Sequence, residues 1–298
     1  MRHFEPLFVA MREACDPRRE KYLGAYFETG TMKSRAKSLY RGLTAVAARK
    51  VALRFAGDFR LADFRALLAS GVNEHRYVAL EMLVRRYETG DRAAREKIAR
   101  LYIRSLRYVD HWVLVDTSAP YILGDYLLAK DRAILFELAS SRDPMRRRIA
   151  IVATMAFIRA RDFDDTLRIA QRLLRDEHEL IHRAVGWMLR EVGKRSEVAA
   201  ERFLDGHFRA MPRLMLRYAI DQLPEARRKR YLRRGDAQSD ETSRRSSMST
   251  MREEAPSRNP AGPGRVRGFR KVPKSMSHKG RRTRTSPTKA KPQPTHVM

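Results

Sequence analysis

Arg183-Ala184-Val185-Gly186-Trp187, Arg147-Arg148-Ile149-Ala150-Ile151 and Arg76-Tyr77-Val78-Ala79-Leu80 share one pattern. Each has a basic residue, two variable residues, a small one and then a large apolar one. The first two segments start 36 residues apart, and the last two 71 apart. One copy is therefore expected between them. A step of 36 from Arg76 lands on Trp112-Val113-Leu114-Val115-Asp116, a loose match, and a weaker copy starts at Arg217. Sustained strand-like alternation is missing, and turn signals fall at Asp16-Pro17, Thr29-Gly30, Thr89-Gly90, Asp143-Pro144 and Met211-Pro212. A period near 36 in such a chain indicates helix pairs that bury their apolar faces only by stacking on their neighbours. The expected fold is all-α: a HEAT-like α-solenoid of stacked antiparallel helix pairs with a concave basic groove. An irregular helical bundle is the alternative. Ala79, Ala150 and Gly186 are the positions where adjacent helices should come closest.

The charge points to a polyanion. Against 35 Asp+Glu stand 63 Lys+Arg, a net charge of +28 with a pI near 11.0. Each added cation on such a surface is rewarded by counterion release from a phosphate backbone. An acidic protein alone is a poor partner for that excess. An anionic membrane competes for it, and an arginine-rich proteome would produce part of it without any function.

Cys15 is the single cysteine, so no intrachain disulfide forms and a reducing cytoplasm is expected, nucleoid-associated if the source is bacterial. Met1 to Cys15 lacks the apolar core of a signal peptide, and the apolar run Ile149 to Ile158 is about half a bilayer span. No membrane association, no metal and no cofactor are expected, since no His/Cys cluster has ligand spacing.

Composition changes after Gly235. Residues 1–234 are rich in Leu, Ala, Arg and aromatics, whereas 235–298 are dominated by Ser, Thr, Pro, Gly and Arg. The second segment lacks the apolar side chains that offset ordering entropy, which predicts a disordered basic tail. It carries about 15 basic and 5 acidic residues, which leaves roughly +18 on the folded domain.

Set in one frame, the last position of the pattern holds Leu80, Asp116, Ile151 and Trp187. A carboxylate at Asp116 is out of place among large apolar groups. Trp112 lies four residues before it and so on the same helix face, while Arg148 is three residues before Ile151. Stacked repeats should bring Trp112, Asp116, Arg148 and Trp187 to one wall of a groove. Taken singly, each has a plain explanation: core packing for the tryptophans, a solvated face for the arginine, an N-cap for Asp116. The chain has only two tryptophans, however, and both fall in the frame of the odd aspartate.

These residues resemble the AlkD-like family of DNA alkylation-repair glycosylases. The likeness rests on Trp112-Val-Leu-Val-Asp116 with Gly124 after it, on Arg147-Arg148-Ile-Ala150-Ile, and on the long segment Leu180-Ile-His-Arg-Ala-Val-Gly-Trp-Met-Leu-Arg-Glu-Val-Gly-Lys194. It continues through Met211-Pro-Arg-Leu-Met-Leu-Arg-Tyr-Ala-Ile220. The resemblance implies hydrolysis of the N-glycosidic bond of cationic purines such as 3-methyladenine and 7-methylguanine, without flipping the lesion into a pocket. It implies catalytic roles for Asp116, Trp112 and Trp187 and a phosphate contact by Arg148. Tyr26, Arg147, Arg183, Arg190 and Lys194 are further expected DNA contacts. The expected partner is duplex DNA bearing alkylated bases, bound by a monomer. The stretch Thr31 to Ala48 is basic and lacks an expected Pro, and Met145 replaces an aromatic. The rival reading is a non-catalytic HEAT-like scaffold that binds DNA or RNA through a basic concave face.

Overall fold

Helix boundaries follow local capping chemistry. In the computed structural model the described residues are 2–20, 37–40 and 42–233, all within the first of two units, Met1–Ser249. The segment expected to be a disordered tail (235–298) and Tyr26 lie outside them, as does the break at Thr29-Gly30. Helix α1 spans Glu5–Glu13. Thr44 opens α2 (Ala45–Phe55) by accepting the Ala47 N–H. Helix α3 is Leu61–Leu68, and α4 (Asn73–Thr89) stops at Gly90, as the Thr-Gly signal predicts. Asp91 caps α5 (Arg92–Arg104), and α6 (Trp112–Ser118) begins at the residue reached by the 36-residue step.

A π-helical turn, Pro120–Gly124, follows, then α7 (Ala133–Ala139). Asp143-Pro144 starts α8 (Pro144–Ala153), with Pro at a first-turn position where its missing N–H costs nothing. Short α9 (Met155–Arg159) precedes α10 (Asp164–Arg172), α11 (Glu179–Gly193), α12 (Glu197–His207) and α13 (Arg213–Ala219). Residues 225–233 are also helical. Among the described residues there is no strand beyond the isolated bridge Lys37–Val72.

The helices stack in two rows. Helices α2, α4, α6, α8, α11 and α13 pack in that order, each on the next. Helices α3, α7, α10 and α12 each back onto a member of that row, in the pairs α3/α4, α7/α8, α10/α11 and α11/α12. This is the solenoid logic of the sequence period: an apolar helix face covered only by the neighbouring repeat. Phe64, Leu80, Met82, Leu83, Tyr102, Leu114 and Phe157 are fully buried along the seam.

Small residues sit where expected. Ala79 and Ala150 are inaccessible to solvent. At Gly186 any Cβ would fall 2.5 Å from the Met215 carbonyl oxygen and 2.5 Å from Tyr218 Cβ, so α11 and α13 touch nearly backbone to backbone.

Several arginines are used inside the stack. The pattern's own Arg76 is buried, donating to the Ser70 carbonyl (2.8 Å) and to Asp110 in the next inter-helix loop (2.8 Å). Arg132 reaches Asp162 (2.7 Å) and Asp165 (3.0 Å), one repeat on. Among the described residues, no helix is long and apolar enough to cross a membrane.

Near the N-terminus, His75 stacks on Phe8 (4.1 Å) and pairs with the Ser70 and Tyr40 hydroxyls. Burial pushes its pKa down to about 4. A histidine whose folded pKa lies below the unfolded value near 6.5 contributes stability that is complete above pH 6.5 and lost as pH falls toward 4. Thermal unfolding should therefore show a melting temperature that drops between pH 6.5 and 4, with a loss on the order of 2 kcal/mol from this residue. In His75→Gln that slope should be shallower; an unchanged slope would assign the acid sensitivity elsewhere.

Candidate active site

Helix α6 is short because its sequence permits little more. Leu114, Val115 and Ser118 face the core, and Pro120 forces the chain out of the α-helical ladder. The Ser118 hydroxyl donates to the Leu114 carbonyl (2.6 Å) and meets the Tyr102 hydroxyl (2.9 Å), which fixes the buried face. Trp112 and Asp116 are thereby left half-buried on the opposite side, one turn apart. Asp116 is thus a mid-helix residue and not the cap of a following helix.

The turn after α6 is held by Gly124. Its N–H donates to the Ala119 carbonyl (2.9 Å), the i to i+5 bond of a π-turn. A Cβ at Gly124 would lie 2.1 Å from the Ala153 carbonyl oxygen at the end of α8. Only glycine lets the π-turn lie this close to the C-terminal end of α8, the helix that carries Arg148.

Arg148 makes the central contact. Its Nε donates to Asp116 Oδ1 (2.9 Å) and its Nη2 to Asp116 Oδ2 (2.8 Å), a bidentate pair. Its Nη1 donates to the Leu180 carbonyl in the first turn of α11. One guanidinium thus links three consecutive members of the row: α6, α8 and α11. The Arg148 side chain is 6% exposed and that of Asp116 20%. The pair is a fixed dipole whose negative end is the more open to solvent. Trp112 and Trp187 pack half-buried against the core on α6 and α11, the two helices that Arg148 ties together.

The other expected DNA contacts divide. Arg147, adjacent to Arg148, turns the other way: Nε and Nη2 engage Asp176, and Nη1 donates to the Ser141 and Arg142 carbonyls. It repeats the Arg76 arrangement, in which a serine carbonyl six residues back and an aspartate in the next loop share one arginine. Arg190 pairs with Asp221 (3.1 Å) and is 17% exposed, and Lys194 pairs with Glu191 (2.7 Å). Arg183 is 45% exposed, with only long contacts to Tyr218 (3.2 Å) and Glu179 (3.5 Å). Of this set Arg183 is the cation most available to an external phosphate.

Two histidines were not among the sequence candidates. His111 opens α6, its Nδ1 accepting the Val113 N–H (3.3 Å), and its ring lies 5.6 Å from that of Trp112. Burial, reinforced by the charge of Arg148, pushes its pKa down to about 4. His178 opens α11 in the same way, accepting the Leu180 N–H (3.1 Å), and its pKa is also lowered, chiefly by burial. Histidine is not a favoured N-cap, so composition gave no signal for either. Among the described residues no group of three or more His, Cys, Asp or Glu is arranged to hold a metal.

The sequence model of the DNA alkylation repair enzyme family matches residues 9–223. A solved structure described as a predicted DNA alkylation repair enzyme from Enterococcus faecalis superposes with a TM-score of 0.55 at 14% identity. The match covers 71% of this chain and 97% of that one, and at such identity it is a likeness of fold. No curated protein matches the chain.

The geometry of Arg147 yields a direct expectation. Replacing it with Met leaves the buried Asp176 carboxylate uncompensated and should cost about 3 kcal/mol of stability. The slope of log K against log salt for duplex DNA should stay unchanged; a slope smaller by about one unit would show that Arg147 touches a phosphate.

Proposed function

We propose that this chain, which belongs to the DNA alkylation repair enzyme family, is a DNA N-glycosylase that hydrolyses the N-glycosidic bond of alkylated, cationic purines. The observation that carries this reading is the bidentate Arg148–Asp116 pair, with its carboxylate end the more exposed. A purine alkylated at N3 or N7 is already positive and leaves without a strong acid. The barrier lies in the positive charge that develops on the deoxyribose, and a preorganised carboxylate lowers it.

Arg148 fixes the orientation of Asp116, and the carboxylate lone pairs it does not occupy remain for the sugar or for the attacking water. With its donors turned inward, Arg148 serves as a positioning residue for Asp116 more readily than as a phosphate clamp. The faces of Trp112 and Trp187 supply electron-rich surfaces for the cationic sugar. Arg183 contributes phosphate contact, and the basic segment 235–298 a nonspecific tether to the duplex. A scaffold that merely binds DNA has no use for a carboxylate held toward the polyanion.

The test is release of 3-methyladenine and 7-methylguanine from methylated duplex DNA under single-turnover conditions. Wild type should release both, and Asp116→Asn should be slower by about 100-fold or more. If wild type releases neither, the scaffold reading replaces this one. If Asp116→Asn matches wild type, the reaction stands without the assignment of Asp116.

A further inference from the structure

In the row of helices that carries Arg148, Thr44 and Asp143 cap α2 and α8 through side-chain oxygens, the common choice, as Asp91 and Ser196 cap α5 and α12 outside it, while α4 and α13 start without a side-chain cap. Only α6 and α11, among the described helices, are capped by histidine, and these are the helices bearing Trp112 and Trp187. They are also the two helices that Arg148 joins to its own.

The geometry at α11 is the more explicit. The Leu180 N–H is accepted by His178 Nδ1, while the Leu180 carbonyl accepts from Arg148 Nη1. One residue therefore carries both the cap and the guanidinium contact. At α6 the cap residue is buried to 2% exposure and immediately precedes Trp112. The charged groups near His111 are Arg148 and the neighbouring Asp110, the latter held by Arg76. Near His178 they are Asp176, Arg147, His182 and Arg148.

An aspartate would cap either helix well and suit its macrodipole. It would also place a second carboxylate near Arg148, in competition with Asp116 for the same donors. We infer that His111 and His178 are positioning residues selected for neutrality: each caps its helix while leaving the Arg148 guanidinium committed to Asp116. Accepting the helix N–H requires an unprotonated Nδ1, and burial, with the charge of Arg148, lowers the pKa of each ring.

The consequence for rate rests on the glycosylase reading; the consequence for Arg148 does not. Asparagine and aspartate have nearly the same shape and both accept the cap hydrogen bond, so His111→Asn and His111→Asp differ in charge and in the amide N–H donors that accompany the neutral form. Four quantities are measured: single-turnover release of methylated purines, affinity for the methylated duplex, thermal midpoint, and the Arg148 Nε–H nuclear magnetic resonance signal, assigned by its loss in Arg148→Lys. His111→Asn should keep the wild-type signal and a rate within about threefold of wild type, whereas His111→Asp should lose about tenfold or more in rate. The Asp variant should melt no lower than the Asn variant, bind the duplex with affinity within about threefold of wild type, and show a displaced Nε–H signal.

Equal rates and equal signals in the two variants would overturn the inference, as would a parallel loss in both. Should His111→Asp not fold, the pair His178→Asn and His178→Asp is read by the same criteria. If the wild type releases no base, only the glycosylase reading falls, and the Nε–H signal still decides whether a neutral cap protects the ion pair.

Discussion

The bidentate contact between Arg148 and Asp116 determines more of this structure than any other single interaction. It takes both carboxylate oxygens, adds the Leu180 carbonyl, and so joins helices that lie 32 residues apart on either side. A guanidinium this buried is tolerated only because its donors are matched so completely. Around it the chain arranges the features that make the match possible. A π-turn ends α6 after seven residues, Gly124 lets that turn lie against the end of α8, and histidine caps start α6 and α11.

The arginine excess has two distinct destinations, which composition does not separate. Arg76, Arg132, Arg147 and Arg148 each bridge one repeat to the next and are largely withdrawn from solvent. Arg183 stays open. Planar, multi-donor guanidinium suits this bridging, because one side chain can hold a carboxylate and a backbone carbonyl at once. A high arginine content in a solenoid thus reports on how the repeats are fastened as well as on what the surface attracts. Each bridging arginine is matched by an aspartate, so the bridges take nothing from the net charge of +28.

The sequence made the repeat legible because the small positions recur at a fixed spacing; Ala79 and Ala150 are fully buried, and Gly186 lies at a close approach of two helices. Helix starts at Pro144 and the stop at Gly90 were legible through proline and glycine chemistry. Asp116 stood out as a charge in an apolar frame, and its proximity to Arg148 follows from stacking. What could not be read was direction. Arg147 and Arg148 are neighbours in sequence, and the helical turn between them sends one to Asp176 and the other to Asp116. The His111 and His178 caps also escaped notice, since imidazole caps only under local electrostatic conditions that exist after folding.

The near-contact of α11 with α13 at Gly186 reaches beyond packing. In a stack where each layer touches only its neighbours, the outermost layer frays first, and fraying is transmitted inward one layer at a time. Helix α13 supplies no residue to the ion pair, yet it is the layer that shields α11, and through α11 the Leu180 carbonyl on which Arg148 rests. The central contact is therefore buttressed by a layer that takes no part in it, and a substitution in α13 reaches Asp116 only through α11 and Arg148.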